Sequence, residues 1–372
     1  MSNPDVIVVG GGVVGLAVAW RCAQRGLRVS VVDPAPGHGA AHTAAGMLAP
    51  VTELHYEGRA LLELNLESAR RYPAFVAELT EDSGGLDVGY RPCGTVQAAW
   101  DAADLAELRS LQAFQASLGL DSKILTSREL RELQPSLAAG LPGGLFAPQD
   151  HQVDNRALVA ALLAAVRRRG VELVPDSVAE VAEVAGVGAG GVRLASGGRL
   201  SAGTTVLAAG AWSRTVVPSV PVRPVKGQTL RLYTQKLSFD QVIRGSVRGN
   251  PVYLVPRRSG EIVVGASSEE AGFDLRPRAG AVYDLLRDAQ ALVPELSETE
   301  FVEVSTSVRP GTPDNAPLLG RSDVDGLVIA TGHYRNGILL TPVTADEIGR
   351  LVVDGVVSDV IAPFHPARQA FA

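Results

Sequence analysis

Between Asp5 and Asp33 the chain reads apolar run, glycine turn, helical period, second apolar run and acid, an order that few folds accept. Val6 to Val9 is a short continuous apolar stretch of the kind a buried parallel strand needs. Gly10, Gly12 and Gly15 follow in Gly-x-Gly-x-x-Gly spacing, and Val13, Leu16, Trp20, Ala23 and Leu27 then recur along one helical face. Gly26 closes the helix, and Val29 to Val32 predicts a second strand ending at Asp33. The first glycine permits the tight turn, the second lets backbone approach a pyrophosphate, and the third lets helix and strand pack closely. The helix N-terminus then offers free N–H groups and a favourable dipole to the phosphates. Asp33, 18 residues beyond Gly15, is placed to accept from a ribose hydroxyl and would repel the extra phosphate of NADP. The stretch therefore predicts a dinucleotide site, with FAD and NAD both open at this point.

At 372 residues the chain has length for about two domains. With 34 basic and 40 acidic residues, a net charge of −6 and no basic block, nucleic acid and anionic membrane surfaces are poor partners. No apolar run approaches the roughly 20 residues that span a bilayer; the longest, Ala157 to Val166, is followed by three arginines. The N-terminus reads as a first strand and turn rather than a signal peptide, so a cytoplasmic location is expected. Cys22 and Cys93 supply neither a disulfide framework nor a metal site, and no metal is expected.

Further along, Pro34 to Pro50 reads as a loop whose Ala44-Ala45-Gly46-Met47 allows close backbone approach. Leu54 to Leu79 predicts one or two amphipathic helices, interrupted or kinked at Pro73. Leu86 to Trp100 has a strand-like pattern, Asp104 to Leu118 is helical, and Thr126 and Glu129 have capping-box spacing. Asp154 or Asn155 caps a helix running to Arg169. Val171 to Val174 then returns as a strand toward the nucleotide-binding sheet, and short strands are expected at Val178 to Val184, Gly191 to Ala195 and Thr204 to Ala209. The last of these gives way to the small-residue turn Gly210-Ala211-Trp212. From Val222 to Val308, strand-like runs around a single helix, Ala279 to Leu292, suggest an antiparallel sheet. α/β character resumes with a strand at Leu327 to Ala330, a turn over Thr331 to Gly337 and a helix over Leu340 to Val353 that accepts Pro342 in its first turn. The expected fold class is α/β (α+β): a Rossmann-like nucleotide domain built from both chain ends (1–85, 143–218 and 310–372) with an inserted antiparallel-sheet substrate domain (86–142 and 219–309).

The fingerprint, Ala45-Gly46-Met47, Tyr253-Leu254-Val255-Pro256-Arg257, Arg309-Pro310-Gly311 and the run Gly332 to Leu339 lie in an order that resembles the D-amino-acid-oxidase family of FAD-dependent flavoproteins, in its glycine-oxidising branch serving bacterial thiamine synthesis. The resemblance covers nearly the whole chain. It implies non-covalent FAD, contacted by Gly10, Gly12, Val13, Val14, Gly15, Asp33, Pro34, Ala45, Gly46, Met47, Val178 and Gly210. It sets His333, Tyr334, Arg335, Asn336, Gly337, Ile338 and Leu339 against the flavin ring. A strand-to-helix turn supports that placement, because it aims N–H groups and a positive helix end at charge developing on the ring. The resemblance also implies a substrate carboxylate held by Arg309, whose planar fork suits two parallel hydrogen bonds, with Tyr253 and Arg335 beside it. No side-chain base is required: a neutral α-amino group and a well-oriented substrate supply the reactivity. His333 is expected to orient the turn, Lys226 to be a solvated hairpin lysine, and Arg257 and Arg258 to be surface arginines. Pro251 and Val252 stand where relatives carry a histidine, and Ser268 where a methionine lines the pocket, leaving the size limit on the substrate side chain open. The implied activity is oxidation of glycine, sarcosine and small D-amino acids by O2 in a homotetramer. A D-amino-acid dehydrogenase, a sarcosine-oxidase-like enzyme, an NAD-linked dehydrogenase and a structural flavin remain alternatives.

Overall fold

The computed structural model describes residues 3–54, 58–182, 190–237 and 239–368. Val6–Val9 forms the expected strand with all four side chains buried. It pairs in parallel with Val29–Val32 on one side and Thr204–Leu207 on the other. Glu172–Val174 extends that sheet beyond Val29–Val32, so the chain does return to it after Gly170. Leu327–Thr331 joins beside Thr204–Leu207 in parallel, and Leu318–Arg321 closes the edge antiparallel. Early, middle and late segments thus share one six-stranded sheet.

The helix after the glycine turn spans Val13–Gln24. Its period predicts one buried face, but every residue from Gly15 to Cys22 is buried, because the helices Asn155–Arg168 and Thr341–Asp354 both pack on it. Asp154, not Asn155, caps the first of these by accepting from the Arg156 and Ala157 amides. Of Leu54 to Leu79, residues 55–57 lie outside the described residues, and the rest yields a single 24-residue helix, Arg59–Asp82, that continues through Pro73. A mid-helix proline costs about 3 kcal/mol, and here the buried stripe of Leu62, Leu64, Tyr72, Phe75 and Leu79 holds the helix together across it. The segment expected to be a loop contains a short helix, Ala40–Thr43, and a two-residue strand, Met47–Leu48, paired with His151–Gln152. Of Leu86 to Trp100, only Thr95–Ala98 is a strand. The capping box at Thr126 and Glu129 forms as read. Val178–Ala182 belongs to a separate three-stranded antiparallel sheet; residues 183 and 184 of the expected strand lie outside the described residues.

The second large sheet has eight strands, in the order Glu300–Gly311, Arg223–Tyr233, Glu261–Gly265, Asn250–Pro256, Val242–Val247, Thr95–Ala98, Gly143–Ala147 and Lys123–Thr126. It is antiparallel except where Val242–Val247 runs parallel to Thr95–Ala98. Gly143–Ala147 therefore pairs with the larger sheet, against a boundary expected at 142/143, and Glu300–Gly311 runs two residues past the one expected at 309. Gly-Gly-Leu-Phe-Ala is short and has no alternation that would betray this. The helix Ala279–Leu292 packs on this sheet, and Leu285, Ala289 and Leu292 join Leu230, Leu254 and Val264 in its core. Among the described residues, no helix is long and apolar enough to cross a membrane.

Candidate functional site

A cavity of about 1140 Å³ runs from the glycine turn to the face of the eight-stranded sheet, large for one drug-sized ligand and suited to a dinucleotide with a small substrate. One wall is built at the C-terminal ends of the parallel strands of the six-stranded sheet. Gly10 and Gly12 come from the first turn, Val13 and Val14 from the start of the helix after it, Asp33 and Pro34 from the second strand's end, Ala45, Gly46 and Met47 from the next segment, Val178 from the start of the strand Val178–Ala182, and Gly210 from the turn after Thr204–Leu207. All of His333 to Leu339 also lines it, with Tyr253 and Arg309 opposite. Gly15 alone among the predicted residues does not. A Cβ there would lie 1.9 Å from the Gly10 carbonyl oxygen, so Gly15 serves helix–strand contact.

The residues fit a dinucleotide. Gly12 has extended backbone (φ −74°, ψ −179°) that any residue adopts, and a Cβ there would meet no protein atom within 4 Å; its lack of side chain matters only to what lies in the cavity. The Asp33 carboxylate accepts the Gly11 and Ala35 amides, both at 2.7 Å, which fixes it at the strand end with a further lone pair on each oxygen. At the other end, two side chains of the helix Arg59–Asp82 hold the 333–340 turn by its carbonyls. Ser68 Oγ donates to Leu339 O at 2.6 Å, and Tyr72 Oη to Ile338 O at 3.0 Å. Among the described residues, the amides of Gly337, Ile338 and Leu339 have no acceptor, and they precede the helix Thr341–Asp354. That is an arrangement for stabilising negative charge.

His333 is buried, and its Nε2 shares a 3.0 Å hydrogen bond with Thr344 Oγ1 on the following helix. It orients the turn. Burial pushes its pKa down to about 4. The unfolded chain takes up this proton near 6.5 and the native chain only near 4, so His333 contributes stability at neutral pH that is lost as pH falls through that window. The loss is about 2 kcal/mol by pH 5. Denaturation of wild type and His333→Gln at pH 7 and pH 5 is expected to show the wild-type advantage shrinking by that amount; a gap independent of pH would mean the imidazole titrates normally.

The substrate-side residues lie on one face of the eight-stranded sheet. Backbone register aligns Ser305, Thr229, Gly265, Tyr253, Arg244 and Gln97 across six strands. Arg309 enters from the same edge, with its Nη1 donating to Ser267 O at 3.1 Å. It forms no ion pair among the described residues, and burial pushes its pKa down, an unfavourable setting that an incoming carboxylate would relieve. Arg309 lies over Gly227 and the Tyr253 ring over Gly265: a Cβ on either glycine would come within about 2.5 Å of these side chains. Burial raises the Tyr253 pKa, so the phenol is a donor. Arg335 is exposed, its guanidinium 5.3 Å from the Tyr334 ring centroid.

Two expectations fail. Lys226 is not solvated: it is fully buried, with Nζ donating to Arg276 O at 2.8 Å and 3.3 Å from Glu269, because the strand Arg223–Tyr233 is covered here by the strand Glu300–Gly311 on one side and by Glu269 on the other instead of ending in a hairpin. Arg257 is buried too, its Nη1 donating to Gln152 and its Nη2 to Asn155 and, at 2.6 Å, to Ala45 O. It thereby props the cavity loop from behind. Arg258 is exposed as read. Gly227, Gly265, Ser68, Tyr72 and Arg244 were not singled out by sequence; glycines inside strand-like runs were the one available signal for the first two.

A family described as FAD dependent oxidoreductase (DAO) matches residues 5–351. The chain is 36% identical over 370 residues to a bifunctional protein ThiO/ThiG of Nostoc sp., covering 98% of this chain but 55% of that protein, so it spans about half the length of this relative. It is 34% identical over 372 residues to glycine oxidase of Geobacillus kaustophilus, covering 98% of this chain and 97% of that one. The crystal structure of glycine oxidase from Geobacillus kaustophilus superposes with a TM-score of 0.92 at 32% identity over 99% and 100% of the two chains. That of glycine oxidase from Bacillus cereus gives 0.90 at 27% identity, covering both chains fully.

Proposed function

The chain belongs to the family of FAD-dependent oxidoreductases, with FAD as its cofactor, and we propose that it is an amino-acid oxidase acting on glycine, and on sarcosine and small D-amino acids. The observation that carries this is Arg309: a buried cation that forms no ion pair among the described residues, walled by Tyr253, at the substrate end of the cavity. Its fork holds the carboxylate, and the Tyr253 hydroxyl donates to the same group. Clamped so, the substrate presents Cα toward the 333–339 turn with its amino group unprotonated. When bound, FAD supplies the two-electron acceptor and passes the electrons to O2 as hydrogen peroxide. Water then hydrolyses the substrate imine to glyoxylate and ammonia. The amides of Gly337 to Leu339, which have no acceptor among the described residues, would stabilise negative charge developing on the bound cofactor, and no side chain is needed as base. Neither Cys22 nor Cys93 lines the cavity, which supports non-covalent binding. The same reading includes the two-domain division, supply of the imine to thiazole synthesis for thiamine, a cytoplasmic location and a homotetramer.

Anaerobic addition of glycine tests it. The flavin absorbance is expected to bleach and to return on admitting air, with peroxide formed. Bleaching only by larger D-amino acids would discard glycine. Reoxidation by dyes without peroxide would make the enzyme a dehydrogenase, and a spectrum that no amine bleaches would leave the flavin structural.

A further inference from the structure

Beyond Tyr253 the cavity continues along the sheet to a group of polar side chains that glycine is too small to reach. Arg244 and Gln97 face one another in register on neighbouring strands, one and two strands past Tyr253, and both line the cavity. The spacing is about 4.8 Å per strand. Arg244 Nη1 donates to Glu53 Oε1 at 2.7 Å, and its other N–H groups make no hydrogen bond among the described residues. Gln97 Oε1 is buried and likewise has no partner among them. Its amide turns freely about the last bond and can present either its acceptor or its donor. Glu53 neutralises Arg244, so the group carries no net charge. It offers hydrogen bonds rather than an electrostatic attraction.

We propose that Gln97 and the Arg244–Glu53 pair form a second substrate subsite that selects a neutral, hydrogen-bonding side chain over an apolar one of the same size. An apolar group placed there would leave Gln97 and the Arg244 N–H groups desolvated and unpaired, and sites built to hydrogen-bond reject analogues that cannot. A carboxylate would meet the Glu53 oxygens. The class of ligand is therefore an α-amino acid with a side-chain carboxamide or hydroxyl, of which asparagine is the type and leucine its apolar near-isostere. This rests on the reading of Arg309 as the carboxylate clamp.

The test uses the FAD-loaded protein and two acids that lack the amino group and cannot be oxidised: succinamate, with the asparagine side chain, and 4-methylpentanoate, with that of leucine. Binding is followed by calorimetry and by the shift of the flavin spectrum. Succinamate is expected to bind at least about tenfold more tightly, and the preference is expected to disappear in Gln97→Leu; Gln97→Met serves if that variant folds poorly. Equal affinities in the wild type, or a preference unchanged by both substitutions, would overturn the subsite while leaving the clamp intact. Failure of both acids to bind, in a protein that holds FAD, would overturn the clamp and the subsite together.

Discussion

Gly15→Ala is expected to cost about 3 kcal/mol or more, lowering the melting temperature by roughly 6 °C or beyond, whereas Gly12→Val should fold as well as the FAD-free wild type and hold no flavin. The two positions stand three residues apart in one motif, and the difference lies in what surrounds each missing side chain. At Gly15 a methyl group would sit 1.9 Å from the Gly10 carbonyl oxygen and 3.3 Å from the Ala208 Cβ. Both neighbours belong to the buried centre of the parallel sheet or its turn, where backbone cannot give way without disturbing the strand Val6–Val9. Gly12 meets no such obstacle and needs no special backbone angle. A branched side chain there projects into the cavity where backbone amides would otherwise approach a pyrophosphate. Melting curves and the flavin-to-protein absorbance ratio separate the cases. A Gly15→Ala protein as stable as wild type would refute the packing role, and a Gly12→Val protein purified with full flavin would refute the cradle.

That contrast marks what was legible in the sequence. The parallel sheet, the cavity's nucleotide half and the turn at 333–339 were readable because each depends on local pattern: apolar runs, glycine spacing and a strand-to-helix turn all act within a few residues. The residues that failed depend on partners far along the chain. Arg257 looks like a surface arginine beside Arg258 until Ala45, Gln152 and Asn155 close around it, more than 100 residues away in each case. Lys226 looks solvated until a strand ending at Gly311 covers one side and Glu269 the other. Helix Arg59–Asp82 ignored its proline for a similar reason. Its buried stripe packs against the helix Thr341–Asp354, and two of its side chains hold the turn that precedes it. Tertiary burial outweighed a local preference of a few kcal/mol. The register row from Ser305 to Gln97 could not be read at all, since it joins strands whose order in the sheet is not their order in the chain.

Arg309→Lys should weaken binding of a carboxylate by about 2–4 kcal/mol while leaving FAD in place, a loss of roughly 30- to 1000-fold in affinity. Lysine keeps the charge but loses the planar fork, so an effect of this size measures the two-bond geometry rather than electrostatics alone. A second substitution reaches the same clamp without touching it. Gly227 lies on the neighbouring strand beneath the guanidinium, and a Cβ there would come within 2.5 Å of Arg309 Nη2 and 2.6 Å of Cζ. The obstacle is the far end of a flexible side chain, so Gly227→Ala should fold normally and displace Arg309 from its place over the strand. Its cost should appear as weaker carboxylate binding, about tenfold or more, with the melting temperature and flavin content close to wild type. Titrating each protein with glycolate, which carries the carboxylate but no amino group, reads affinity apart from turnover. The double variant Arg309→Lys/Gly227→Ala then decides the mechanism. If the glycine acts only by making room for the fork, its substitution adds little once the fork is gone, and the two effects are strongly non-additive. Full additivity would mean that Gly227 serves the cavity by another route, and unchanged glycolate affinity in Arg309→Lys would remove this arginine from the site.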